Sequence, residues 1–232
     1  MNKIKKAVLS SPSDVYDNVL YRGLEGFVMN CGHKILENYP CSNKVILEVG
    51  PGSQPHFKWM NQKGIEKYIV LDSKEQLQKI KITRDLKDKL IKIPIQNKQM
   101  LLKYKGKIDR VIANHVMEHI NDPESFLLDM TAMLKKDGVF SIGLPADPGL
   151  LWRFGQLISM KKAMKVYGYK SKEAKDLMWS REHVNAIQRL MAIIKYYFSD
   201  IKCSWFPAII PFINLNLLVV IHLKRSNFRS HE

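Results

Sequence analysis

The chain has 232 residues, 46% of them hydrophobic and 25% charged, which suits one globular domain with a sizeable core and room for a cap or insertion. Its 37 basic and 22 acidic residues give a net charge of +15, pointing to an acidic partner: nucleic acid, an anionic membrane surface or a phosphate-bearing substrate. Cys31, Cys41 and Cys203 lie far apart with no CxxC pair, which excludes a disulfide framework and a zinc knuckle and makes a reducing compartment the expectation.

The opening MNKIKKAVLSSPSD begins basic, but its apolar run is too short for a signal peptide. Ser13 or Asp14 is placed to cap a helix predicted from Val15 to about Asn38, where Val19, Leu20, Leu24, Phe27, Val28, Ile35 and Leu36 recur mostly at three- and four-residue spacing. Tyr39-Pro40 ends it, since the residue before a proline avoids the helical region. Val45-Ile46-Leu47 then opens a buried parallel strand. In VILEVGPGSQ that strand runs past Glu48 into a turn with Gly50 and Gly52 around Pro51. Glycine there permits a positive φ and the close approach of a ligand. A helix expected from about Pro55 would turn its free N–H groups toward the same loop and favour an anionic group. YIVLD reads as a second strand ending at Asp72, about 20 residues past Gly52, where a carboxylate accepts hydrogen bonds from two ribose hydroxyls. The third glycine of the dinucleotide pattern is missing, and Pro55 takes its place.

From Ser73 to Lys107 lysines crowd the chain, and only Leu90 to Ile95 reads as a short strand. Ile108 to Asn114 is a further strand, followed by HVMEHINDP. Asp122-Pro123-Glu124 starts a helix, with a capping aspartate, proline at its first position and an acid in its first turn. Phe126, Leu127, Met130, Met133 and Leu134 form its buried stripe, Lys135-Lys136 its end, and Asp137-Gly138 the turn into strand Val139–Leu144. Beyond Pro145, Leu150 to Tyr167 mixes apolar, aromatic and basic residues as a helical cap. Its mixed face suits lipid headgroups or an anionic substrate, and a helix merely closing the sheet is the plainer alternative. Arg181 to Phe198 reads as one helix, and Ile201–Phe206 with Leu215–Leu223 as an antiparallel hairpin. Phe206 to Leu223 is broken by Pro207, Pro211, Asn214, Asn216 and His222 and falls short of the ~20 apolar residues of a membrane span. A cytoplasmic protein is expected.

LEVGPGS, VLD and DRVIANHVMEHINDPESFLLDMTAMLKKDGVFSIGLP, in this order and spacing, resemble the class I S-adenosylmethionine-dependent methyltransferases over roughly Lys44 to Pro145. The resemblance implies an α/β fold: a Rossmann-like, doubly wound, seven-stranded, mostly parallel sheet with its last strand antiparallel, an N-terminal helix and a helical cap insertion. Residues 1–42 would be the N-terminal helical segment and 43–232 the methyltransferase domain, with the insertion at about 148–180. It implies S-adenosyl-L-methionine as cofactor, held by Glu48, Gly50, Gly52, Gln54, Asp72, Asn114 and His115. Gln96 or Asn97 stands nearest to the family's adenine contact, although the common aspartate is missing. Helices like the first often lie over the site, which makes Tyr21 and Arg22 candidate substrate contacts. Trp152 and Arg181 are further candidates from the cap region.

Methyl transfer from a sulfonium is an in-line displacement of an activated group, so positioning supplies much of the acceleration. A hydroxyl acceptor must still lose a proton, for which a base tuned toward neutrality helps. His119 follows the strand ending at Asn114, and His183, in SREHVN, resembles a histidine that many sugar- and lipid-modifying members place over the active site. Some quinone methyltransferases bind a metal through two acids and a histidine at this spacing. Glu118 and His119 are kept here and the first acid is His115, so no metal is expected. Beyond the core, the tail from Leu150 to Asn216 resembles methyltransferases of surface-polysaccharide or lipopolysaccharide assembly. The expected activity is therefore O-methylation of a sugar, sugar nucleotide or lipid-linked glycan, with an anionic acceptor and peripheral contact at the inner membrane face. Rival readings are a quinone or small-lipid methyltransferase, an RNA methyltransferase (for which no nucleotide-flipping motif or RNA-binding module is visible), and a silent cofactor- or partner-binding domain.

Overall fold

A computed structural model describes residues 23–229. Its elements run α1 (Gly23–Glu37), β1 (Val45–Val49), β2 (Lys67–Asp72), α2 (Lys74–Lys79), β3 (Leu90–Pro94), β4 (Ile108–Asn114), α3 (Pro123–Met133), β5 (Leu134–Pro145), α4 (Leu150–Tyr167), α5 (Lys172–Glu182), α6 (Ile187–Tyr197), β6 (Lys202–Pro207) and β7 (Asn216–Lys224). One sheet joins all seven strands in the order β3-β2-β1-β4-β5-β7-β6. Strands β1 to β5 pair in parallel, and β7 runs antiparallel to β5 and β6, its neighbours on either side. The chain order reverses at β1 and β4, which opens a crevice above their carboxyl ends.

Alternation along the strands sorts side chains onto two faces. Leu47, Ile69, Val111, Phe140 and Ile221 pack with Leu127 and Met130 of α3 and with Leu190 and Ile194 of α6. On the other face Ile46, Tyr68, Val70, Ile112 and Val220 pack with Leu36 of α1. That second face also carries Glu48, Arg110, Ser141 and His222, each at most 4% exposed. α1 therefore covers a partly polar surface, and must supply partners as well as apolar area.

Most predicted elements coincide with these. Asp122 caps α3 by accepting from the Ser125 N–H at 3.0 Å. Three elements differ. No α-helix follows the glycine turn; the chain makes a single 3-10 turn, His56–Lys58, because the Glu48 carboxylate takes the His56 N–H at 2.8 Å. This removes the helix-terminus contribution to anion binding there. The predicted helix Arg181–Phe198 is divided at 183–186, where the Asn185 amide donates to Met117 O (3.0 Å) and Ile120 O (2.6 Å). Asp137-Gly138 lies inside β5, whose Leu134 already pairs with Ile108 before the register shifts. The first part of the predicted N-terminal helix, with Tyr21 and Arg22, lies outside the described residues. Among the described residues no helix is long and apolar enough to cross a membrane.

Candidate functional site

The carboxyl ends of β1, β2 and β4 bring the predicted loops together. Gly50 (φ 64°) and Gly52 (φ 60°) both take the left-handed conformation that the turn requires. The Gly50 N–H donates to Leu71 O at 2.9 Å, and the Gly52 N–H to Asp72 Oδ2 at 2.9 Å. Asp72 Oδ1 accepts the Ser73 N–H at 2.6 Å, so the carboxylate is fixed from two sides. A side chain at Gly50 would press on Val116, 2.9 Å from where its Cβ would sit, so the turn lies against the loop after β4. Gln54 points along this turn and accepts from Lys58 Nζ at 2.5 Å.

Glu48 faces inward. Its carboxylate accepts from the His56 N–H and, at 2.7 Å, from the Tyr68 hydroxyl. Burial pushes its pKa up to about 8, against the pull of those two hydrogen bonds. The residue thus braces the turn from beneath. Gln96 and Asn97 lie exposed in the 3-10 segment Ile95–Tyr104 after β3.

The loop after β4 is strained and heavily tied. His115 has φ 56°, rare for a residue with a Cβ, and its N–H donates to Gly143 O at 2.9 Å. Its Nδ1 lies 3.3 Å from Glu118 Oε1, and His119 Nε2 lies 3.9 Å from the same oxygen. Burial pushes the Glu118 carboxyl up, but the His115 hydrogen bond and the charges of His115 and His119 outweigh it and hold it below the usual range. Glu118 Oε2 and Asn114 Oδ1 are buried without a hydrogen-bond partner among the described residues. Gly143 makes room for the amide: a Cβ there would fall 1.9 Å from Asn114 Oδ1.

Above β5 stands an aromatic group. His183 stacks on Trp179 at 3.9 Å between ring centroids, and His119 meets His183 edge-on at 4.8 Å. Asp147 Oδ2 lies 3.5 Å from His183 Nδ1 and accepts from Trp179 Nε1 at 3.3 Å. Burial raises the Asp147 carboxyl, while His183 and Trp179 pull it to a net lowering. His119 Nδ1 lies 2.7 Å from Glu182 O, a contact in which the ring N–H donates. Trp152 sits 6.2 Å from Trp179, whereas Arg181 is exposed on the last turn of α5. Among the described residues no group of three or more His, Cys, Asp or Glu is arranged to hold a metal ion.

Beneath the site runs a polar chain that sequence reasoning missed. Glu37 Oε1 accepts from Arg110 NH1 (2.6 Å) and faces His56 Nε2 (2.6 Å), so Nε2 carries that ring's proton and Nδ1 is left as acceptor. His33 Nδ1, 2.7 Å away, must then donate, leaving His33 Nε2 to accept from the Asn114 amide at 3.5 Å. Burial holds His33 well below its ordinary pKa and lowers that of His56, which keeps both rings neutral. On the other side Arg110 Nε donates to Ser141 Oγ (3.0 Å), which meets His222 Nδ1 (3.0 Å). His33 and Glu37, four apart on α1, and Arg110 inside an apolar strand were the available signals.

A family model described as a methyltransferase domain matches residues 29–192. Comparison with curated proteins gives no match. Solved structures of similar fold include a SAM-dependent methyltransferase from Archaeoglobus fulgidus, 17% identical, with 90% of this chain and 99% of that chain covered and a TM-score of 0.59. Another is the plantazolicin methyltransferase BpumL in complex with SAH, at 13% identity, 94% and 93% coverage and a TM-score of 0.58. The CurJ carbon methyltransferase shares 13% identity at a TM-score of 0.58; 89% of this chain is covered, but it spans only 57% of that one.

Proposed function

The chain belongs to the methyltransferase domain family and is an S-adenosylmethionine-dependent methyltransferase; from that premise we propose that it methylates an oxygen of a sugar, sugar nucleotide or lipid-linked glycan. The residues at the crevice fit the cofactor. Among the described residues buried Asn114 Oδ1 and Glu118 Oε2 have no hydrogen-bond partner, as acceptors awaiting an ammonium group would. Gly50 and Gly52 leave space for an amino-acid end, and the Asp72 carboxylate, at the end of β2 beside that turn, stands where ribose hydroxyls would be held. Gln54 and His115 border the same turn and loop, with Gln96 toward the adenine side. Glu48 acts through the turn it braces. When bound, the cofactor supplies a methyl group on a sulfonium, already activated for displacement.

The observation that carries the acceptor reading is His183, held between Trp179 and Asp147. The Asp147 carboxylate lies on the Nδ1 side of the ring, 3.5 Å away and short of a formed hydrogen bond; closing that contact on substrate binding would hold the proton on Nδ1 and leave Nε2 to take one from a hydroxyl. His119, edge-on to His183, limits the ring's movement and is the second candidate base. Trp152, with Trp179, offers an aromatic wall for a sugar face, and Arg181 with the chain's net charge of +15 favours an anionic acceptor. In this reading the acceptor is met in the cytoplasm, at the inner face of the membrane. Turnover of labelled methyl donor against nucleotide sugars and lipid-diphosphate glycans tests it. Methylation of such a glycan is the expected result. Turnover confined to quinones, RNA or amines contradicts it.

A further inference from the structure

Over residues 150–158 the outward side of α4 is apolar where a surface helix is ordinarily charged. Leu150, Phe154, Leu157 and Ile158 are 64, 59, 58 and 58% exposed, and their spacing sets them on one side of the helix. The opposite side lies on β7, close enough that a Cβ at Gly155 would sit 3.7 Å from Leu217 Cδ2. Beside it the loop between β6 and β7 presents Ile209, 91% exposed, with Ile210, Phe212 and Leu215 each about half exposed. This loop is built rather than slack: buried Asn216 donates its amide to Ile210 O (3.0 Å) and Phe212 O (2.8 Å). Loop and helix adjoin, since the Leu150 N–H donates to Asn214 Oδ1 at 3.2 Å and a Cβ at Gly149 would fall 2.5 Å from Ile213 O. Both flank the carboxyl ends of the parallel strands, the edge that carries the candidate site. So many adjoining apolar side chains mark an interaction surface.

Charge decides what covers it. From Pro148 to Lys172 the sequence has six basic residues, Arg153 the first of them, and no acidic one, and Phe206 to Leu217 carries no charge. A second copy of a chain of charge +15 would bring two such basic segments together, which repulsion opposes. An anionic bilayer accommodates both parts: apolar side chains enter the acyl boundary, and the basic charge of the segment is attracted to the headgroups. We propose that α4 and the loop 208–215 form a docking surface for an anionic bilayer, turning the mouth of the site toward the membrane. This deepens the reading of a membrane-held acceptor and rests on it only for its purpose, since binding can be measured with no acceptor present.

The test is co-sedimentation of the full chain with vesicles of phosphatidylcholine alone or mixed equally with phosphatidylglycerol. Partitioning onto the anionic vesicles is expected to exceed that onto neutral ones by at least about tenfold. The double variant Phe154→Asp/Ile209→Asp, changed at two exposed positions, is expected to lose at least about tenfold in that partitioning with unaltered affinity for S-adenosylhomocysteine. Equal binding to both vesicles, or undiminished binding of the variant, overturns the proposal. So does a dimer at equilibrium sedimentation that the variant dissolves, which assigns the surface to a second copy. Loss of S-adenosylhomocysteine binding by the wild type would instead count against the cofactor site, a separately visible failure.

Discussion

His33 Nδ1 and His56 Nδ1 stand 2.7 Å apart beneath the crevice, both rings at most 2% exposed. One must donate and the other accept, and Glu37 beyond His56 fixes which. The consequence reaches Asn114: its amide nitrogen is turned to His33, so its oxygen is the atom left for a ligand. His33→Phe keeps a ring against Trp59, stacked 3.7 Å from His33, but removes the contacts to His56 and Asn114. The variant is expected to lose about 1–3 kcal/mol of stability and roughly fivefold or more in S-adenosylhomocysteine affinity by calorimetry. An unchanged affinity would show that the Asn114 amide is set by other contacts.

Glu48 makes stability depend on pH. Its folded pKa, about 8, lies above the ordinary value of 4.5, so its contribution is full below about pH 4.5 and is lost as pH rises through about 8. Glu48→Gln cannot ionise. Urea unfolding from pH 5 to 8.5 should show the variant gaining on the wild type as pH rises, by up to ~1.4 kcal/mol per pH unit. A difference independent of pH would contradict a buried, reluctantly ionised carboxyl.

Arg110 is fully buried and spends its guanidinium on Glu37, Ser141 and Leu36 O. Arg110→Met removes the guanidinium and leaves the Glu37 charge with only the neutral His56 ring, so a loss of about 3–5 kcal/mol is expected in denaturant unfolding. Adding Glu37→Gln should recover part of that loss. A double variant no better than the single one would mean that the pair is not coupled.

For His183 the expectation is kinetic. His183→Ala should lower kcat by about 10²–10⁴-fold with cofactor affinity kept, as removal of a general base does. Asp147→Asn, acting through orientation of the ring, should lower it less, again with cofactor affinity kept. Wild-type turnover in His183→Ala would return this histidine to a structural role.

The parallel strands and the α3 start are legible in the sequence because their signals are local: apolar runs ending in glycine or aspartate, and Asp122-Pro123 at a helix start. The class I resemblance likewise rested on contiguous motifs. What stayed hidden depends on distant partners. Arg110 in IDRVIAN reads as an interruption of an apolar strand until α1 brings Glu37, 73 residues away, against it. Asn185 divides a helix that its own neighbours favour, because its amide is used by a loop 65 and 68 residues earlier. Glu48, read as a ligand contact from its place beside the glycines, turns out to face Tyr68 and His56, a direction that strand alternation alone would have suggested.

The most direct test of the whole account is a crystal structure with S-adenosylhomocysteine. Density for the amino-acid end between the Gly50–Gly52 turn and Asn114, with the ribose on Asp72, is expected, together with a loss of about 1–3 kcal/mol in binding for Asp72→Ala. Density away from that crevice, or Asp72→Ala binding as tightly as the wild type, would contradict it.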